Sequence, residues 1–268
     1  MHLPGDHEER HPTSTTMSGE SIPLPPDIQT LVHTLATLPG AVAVALGGSR
    51  ATHAADAVAD AASDWDLAVY YQGGIGLQSL EAYGEVHPPG AWGRLMNGGA
   101  WLRVGDIHVD VILRDLDVAW HWTQEAMEGR FEIDALLGYI AGLPTYSLAA
   151  ELASGRVLAG ALPAVGSMPP KLRTTAPLRW CFARDFSLEY ARMHSARGNL
   201  VGAVGQAAKA AMEEAHARVC AEGLWTLNEK RLLATAGLGE LSAVFARGPA
   251  TAAEAEVWLD EVARHLAG

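Results

Sequence analysis

Asp64-Trp65-Asp66 stands directly before an apolar run at residues 67–71. Read as a strand, that segment alternates its side chains between two faces. Asp64, Asp66, Ala68 and Tyr70 then share one face, and Trp65, Leu67, Val69 and Tyr71 share the other. Two carboxylates pointing the same way can serve as shared ligands of a divalent cation. Upstream, a second apolar run at 41–46 breaks off in Gly47-Gly48-Ser49, where glycine lets the backbone turn tightly and approach an anionic group. A third aspartate, Asp110, lies within residues 107–113, with His108 and Ile112 on its face and Val109, Val111 and Leu113 on the core side. A lone carboxylate in so apolar a strand is costly to bury unless it is paired or bound to metal. Arriving on a neighbouring strand, Asp110 would complete a metal site.

These residues need a scaffold that brings three segments together. Residues 27–38 carry apolar side chains at 28, 31, 32, 35 and 38, one face of a helix, with Asp27 as a fitting N-cap after Pro26. Pro39-Gly40 ends the helix and the strand 41–46 follows. Residues 50–63 are alanine-rich with scattered acids and read as a short helix plus a loop. Beyond the Asp pair, residues 77–83 read as a helix and the Pro- and Gly-rich stretch 84–99 as a loop. Strands at 100–104 and 107–113 joined by Gly105-Asp106 carry hairpin chemistry. Helical periodicity takes over at 115–127 and 147–154, and a break in composition at 159–170 marks a domain boundary. Further helices are expected at 171–196, 199–222, 228–236, 239–246 and 251–266, with Gly198 and Gly223 just past the ends of the first two. The expected fold class is α+β: a domain over 26–160 with a mixed β-sheet flanked by helices, then an α-helical bundle over 168–268. The polar residues 1–25 read as a disordered tail, and its His2, His7 and His11 as incidental.

Bulk properties narrow the setting. With 268 residues, 49% hydrophobic and 19% charged, the chain has the balance of a globular protein. No apolar run approaches the ~20 residues of a membrane helix, and the first residues lack the basic segment and apolar core of a secretory signal. Cys181 and Cys220 form no CxxC pair and read as buried thiols in a reducing cytoplasm. The formal charge of −12 makes long nucleic acid an unlikely partner and favours a cationic substrate or a site with its own metal ions.

Gly47-Gly48-Ser49, then Ser63-Asp64-Trp65-Asp66-Leu67, then Asp110 on a strand: this order resembles the DNA polymerase β-type nucleotidyltransferase superfamily. With a helical C-terminal half, including Asn228-Glu229-Lys230, the chain is similar to the small bacterial members of antibiotic (aminoglycoside) type. The resemblance implies an enzyme moving a nucleoside monophosphate, AMP, from a nucleoside triphosphate to a hydroxyl of a small-molecule acceptor with release of pyrophosphate. It implies two Mg²⁺ ions, with Asp64 and Asp66 bridging them and Asp110 holding the catalytic ion and accepting the hydroxyl proton. Gly47, Gly48 and Ser49 would bind the β- and γ-phosphates, with Arg50 adding charge. Two departures stand out: fourteen residues separate Ser49 from Asp64, and His53 stands where such proteins often carry glycine.

Other candidates are weaker. Lys209, a lone cation among alanines, reads either as a triphosphate contact or as a solvated lysine, and Lys230 follows it. Glu189 reads as a base or as a surface carboxylate. Trp92 and Trp101 could stack on a base. His108, His194 and His216 have no ligand spacing. One alternative reading keeps the chemistry and moves the nucleotide to a protein or tRNA, as in toxin–antitoxin pairs. A different class of function is a nucleotide-binding regulatory module without catalysis, which has no need of three carboxylates. The plainest alternative, a glycine turn beside surface aspartates, is opposed by the apolar strands that hold Asp66 and Asp110.

Overall fold

The computed structural model describes residues 24–51 and 64–268. The tail to residue 23 with its three histidines, and the alanine-rich segment 52–63 with His53, lie outside the described residues. In chain order the elements are α1 (Pro26–Ala36), β1 (Ala41–Leu46), α2 (Gly48–Ala51), β2 (Trp65–Tyr71), a 3₁₀ turn (Gln78–Leu80), β3 (Gly84–His87), β4 (Gly98–Val104), β5 (Ile107–Asp115) and α3 (Leu116–Met127). There follow β6 (Ile133–Asp134), β7 (Leu143–Pro144), α4 (Ser147–Ser154), β8 (Arg156–Gly160), α5 (Pro170–Ala196), α6 (Leu200–Glu222), α7 (Leu232–Thr235), α8 (Leu241–Ala246) and α9 (Ala252–Ala267). The fold class is α+β, with a mixed sheet and a helical C-terminal region, as expected.

Contacts divide the chain into two compact units. Among the described residues the first comprises 24–51, 64–92, 96–117 and 152–165; the second comprises 93–95, 118–151 and 166–268. A single cut near 160–168 therefore misses that residues 118–151 belong with the helices. The cause is apolar: Phe131, Ala141 and Tyr146 share a core with Leu172, Trp180 and Cys220.

In the first unit the sheet runs β3-β4-β5-β2-β1-β8. β2 and β5 are parallel, and the other neighbours are antiparallel. One face is dry: Val44, Leu46, Leu67, Val69, Ala100, Leu102, Val109, Val111 and Leu113 pack with Ile28, Leu31, Val32 and Leu35 of α1. The alternation predicted for β2 and β5 places their odd-numbered residues in this core. Three local expectations are corrected. The N-cap of α1 is Pro25, and Asp27 sits in the first turn, because Pro at the first helical position already supplies the fixed φ and lacks the orphan N–H. Residues 77–83 form only a short 3₁₀ turn, and β3 emerges within the expected loop, paired to β4. The segment after α4 is strand β8, an edge partner of β1.

In the second unit, α5 and α6 form a hairpin turned by Arg197-Gly198-Asn199, with the Asn199 side chain accepting the Gly202 N–H to cap α6. Ala203, Ala207, Ala210, Ala211 and Ala215 line the buried side of α6, and such small side chains allow close helix approach. Gly223 ends α6 with φ +76°, the left-handed cap that glycine adopts without penalty. Both oxygens of Glu229 accept backbone N–H groups, from Ile140 (2.6 Å) and Ala141 (2.7 Å). That carboxylate pins a loop that no periodic pattern could have placed. Among the described residues no helix is long and apolar enough to cross a membrane.

Candidate active site

Asp66 and Asp110 occupy directly opposed positions on the parallel pair β2 and β5, so their side chains leave the same face side by side. Both are half-buried. The face is the one turned away from the α1 core, since their neighbours Leu67, Val109 and Val111 fill that core. Asp64 precedes β2 by one residue and is exposed, on the same face one pleat farther along. Among the described residues no three His, Cys, Asp or Glu side chains gather closely enough to cage an ion. The carboxylates form a row along one face, exposed at Asp64 and half-buried at Asp66 and Asp110.

The glycine turn lies against this row. The N–H of Gly47 donates to the carbonyl of Asp66 (2.8 Å), prolonging the β1–β2 ladder by one bond. Gly48 has φ +62°, and a Cβ there would stand 1.9 Å from Oδ2 of Asp66. Only glycine fits, because both the backbone angle and the space exclude a side chain. Sequence spacing suggested a turn that meets a phosphate; the structure adds that this turn also touches the Asp66 carboxylate. Ser49 follows within α2. The Arg50 guanidinium lies 4.7 Å from the ring centre of Trp65, which belongs to the opposite face of β2.

The row continues beyond Asp110. Trp101 of β4 is opposed to Asp110, and Glu85 of β3 is opposed to Trp101. Trp101 is 51% exposed. It stacks on Trp92 at 5.4 Å and meets the edge of His87 at 4.7 Å. Trp92 can lie on the sheet because position 99 is glycine, where a Cβ would be 2.4 Å from its ring. Asn97, in the left-handed region at φ 64°, holds the loop: its Oδ1 accepts the Gly90 N–H and its Nδ2 donates to the Tyr71 hydroxyl (2.7 Å). Glu85-Val86-His87 does show strand alternation, but so short a run beside Gly and Pro gave no periodic signal.

The remaining candidates are dispersed. Lys209 belongs to the helical unit, with Nζ 3.7 Å from the buried Glu213. Glu189, Lys230 and His108 are exposed. His194 meets the Asn199 side chain at the hairpin turn. His216 is buried, stacked on Trp180 at 4.4 Å. A cleft of about 620 Å³ in the helical unit is bordered by Arg184, Glu214 and Arg218, whose charges are joined in ion pairs.

No protein-family description matches the chain, and no curated protein matches it. Among solved structures it is similar to a nucleotidyltransferase-like protein from Exiguobacterium sibiricum 255-15, at 13% identity and a TM-score of 0.44, over 90% of this chain and 73% of that one.

Proposed function

We propose that this protein is a nucleotidyltransferase that moves AMP from ATP to a hydroxyl of a small-molecule acceptor. One observation carries the reading: Asp66 and Asp110 stand in register on adjacent parallel strands, with the Gly48 backbone against Asp66. Two neighbouring half-buried carboxylates suit Mg²⁺, which takes one or two carboxylates and completes its shell with water and phosphate oxygens. Asp66 and Asp110 would hold it, with Asp64 at the exposed end of the row as a further ligand for a hydrated ion, and bound there it would neutralise charge on the attacking and leaving oxygens.

The chain's own groups then have distinct tasks. The acceptor oxygen bonds to the α-phosphorus while the bond from that phosphorus to the bridging oxygen breaks, and pyrophosphate departs with that oxygen. The hydroxyl proton passes to the Asp110 carboxylate. The turn at Gly47-Gly48-Ser49 receives the departing phosphates on the Asp66 side of the row. Trp101, on the Asp110 side, offers a flat ring for the acceptor to pack on.

The test is pyrophosphate release with each triphosphate and Mg²⁺ across a panel of hydroxyl acceptors. We expect release with ATP, and a loss of about a thousandfold or more in Asp66→Asn and Asp110→Asn, the scale of removing transition-state charge stabilisation. Both variants should melt no lower than the parent. Release that survives either substitution would sink the assignment.

A further inference from the structure

We propose that the outer face of α5 is a self-association surface, through which two copies of this chain pack α5 against α5 about a two-fold axis. The sequence of α5 divides its faces: Leu172, Ala176, Trp180, Ser187, Ala191 and Ser195 are buried within the protomer. The opposite side should be polar in a helix with one partnered face. Instead, Leu178, Phe182, Phe186, Tyr190 and Met193 are exposed by 70%, 72%, 56%, 41% and 38%. Phe186 stacks on Tyr190 at 4.8 Å, and Phe182 follows at 6.4 Å from Phe186, so the rings form one continuous strip.

Area favours a second copy as the occupant. With about 200–260 Å² for each whole residue, the exposed fractions amount to roughly 600 Å² per protomer, against the ~800 Å² per partner of a standard interface. The flanking side chains would supply the remainder. Spacing favours it too. Leu178, Phe182, Phe186 and Tyr190 follow one another every four residues, the ridge that interdigitates with its own kind at a crossing near −50°. A two-fold axis between Phe182 and Phe186 sets each ring against the other in the partner, the self-complementary arrangement of an isologous dimer. The arginines near the strip already have partners, while the exposed Glu189 beside Tyr190 must keep its carboxylate in water at the edge of the contact. Arg179 donates to the Phe131 carbonyl, Arg184 pairs with Asp185 and Glu214, and Arg192 pairs with Asp260 (2.8 Å), so these charges are satisfied inside one protomer. The opposing force is long-range, since each copy carries −12. The dimer should therefore tighten with added salt as repulsion is screened.

Light scattering on the eluting full-length protein, across a hundredfold range of concentration, tests this. The chain of 28.4 kDa should run at twice that mass at micromolar concentration, and more completely in 0.5 M than in 0.05 M NaCl. Phe182→Glu and Phe186→Glu should each give the single-chain mass with an unchanged melting point, because these rings support little within the protomer. Leu178→Lys, farther from the axis, should weaken the dimer about tenfold. A wild-type chain that stays at 28.4 kDa throughout, or a dimer that survives both glutamates, overturns the proposal. Wild-type monomer that binds a hydrophobic dye lost in Phe182→Glu would likewise overturn it, and would assign the strip to a different occupant.

Discussion

The chain carries two groups of titratable side chains, and their surroundings differ in kind. On the sheet of the first unit, Asp66 and Asp110 are half-buried and in register on adjacent strands. In the helical unit, Tyr146, Cys220, His216 and Glu213 are buried. The Tyr146 hydroxyl receives the Trp180 Nε1–H (3.0 Å) and lies 3.4 Å from both the Cys220 thiol and Nδ1 of His216. Burial holds the Tyr146 hydroxyl well above its ordinary value, pushes the Cys220 thiol to about 11 and drives the His216 imidazole down to about 3. Perturbed titration is often a sign of function, yet here each shift has the same dull cause: the charged form has been denied water. Burial therefore keeps Tyr146, Cys220 and His216 uncharged at pH 7. The sheet carboxylates, by contrast, are only half-buried and stand side by side. The displaced pKa values of this molecule thus report burial, whereas the pairing of Asp66 with Asp110 is set by strand register.

Substitutions can separate the two regions, one sensitive in activity and the other in stability. The largest stability loss should come from Trp180→Ala, which empties the centre of the helical cluster and should cost about 3–5 kcal/mol in denaturant unfolding. Activity per folded molecule should hardly change. If Trp180→Ala instead abolished turnover in protein that remained folded, the division between the regions would fail. Gly48→Ala should do the reverse. Its Cβ collides with the Asp66 carboxylate and its φ is left-handed, so we expect a fall in turnover of about a hundredfold, with a stability cost near 1–3 kcal/mol.

Acid comes next. His216 has a folded value far below its unfolded one, so the unfolded chain binds the extra proton. Its contribution is fully present above about pH 6.5 and is lost as pH falls toward 3. Between pH 7 and pH 5 this should remove about 2 kcal/mol. His216→Phe, which can keep the stacking on Trp180, should flatten that slope, and an unaltered slope would locate the acid sensitivity elsewhere.

The smallest effect concerns Glu213. Burial raises its carboxyl, against the lowering pull of Ser187 and Lys209, and its Oε2 has no hydrogen-bond partner among the described residues. A raised carboxyl contributes stability below its unfolded value and loses it as pH rises through its folded value. Glu213→Gln should therefore raise stability slightly at pH 8, by up to about 1 kcal/mol, and give no gain at pH 4. Equal effects at the two pH values would refute the assignment.

The sequence by itself determined the elements whose periodicity is driven by one buried face. β1 and α4 were legible to the residue, α5, α6 and α9 to within one residue at each end, and the alternation of β2 and β5 held, whereas the helix expected at 228–236 is only α7 at Leu232–Thr235. It also singled out the glycine turn and the aspartates, because carboxylates within apolar strands are costly wherever they end up. What remained for tertiary structure were relations between distant segments. The parallel register that aligns Asp66 with Asp110, and the next strand that aligns Trp101 with Asp110, are set by long-range hydrogen bonding. The short strands β3 and β8 exist only because a neighbour offers an unpaired edge. The assignment of residues 118–151 to the helical unit follows from Phe131 and Tyr146 finding Trp180, and the clamp of Glu229 on residues 140 and 141 spans a separation no local pattern records. A repeat of 2 or 3.6 residues reports which face is dry. It carries no information on which other dry face will meet it, and that choice depends on packing the whole chain at once.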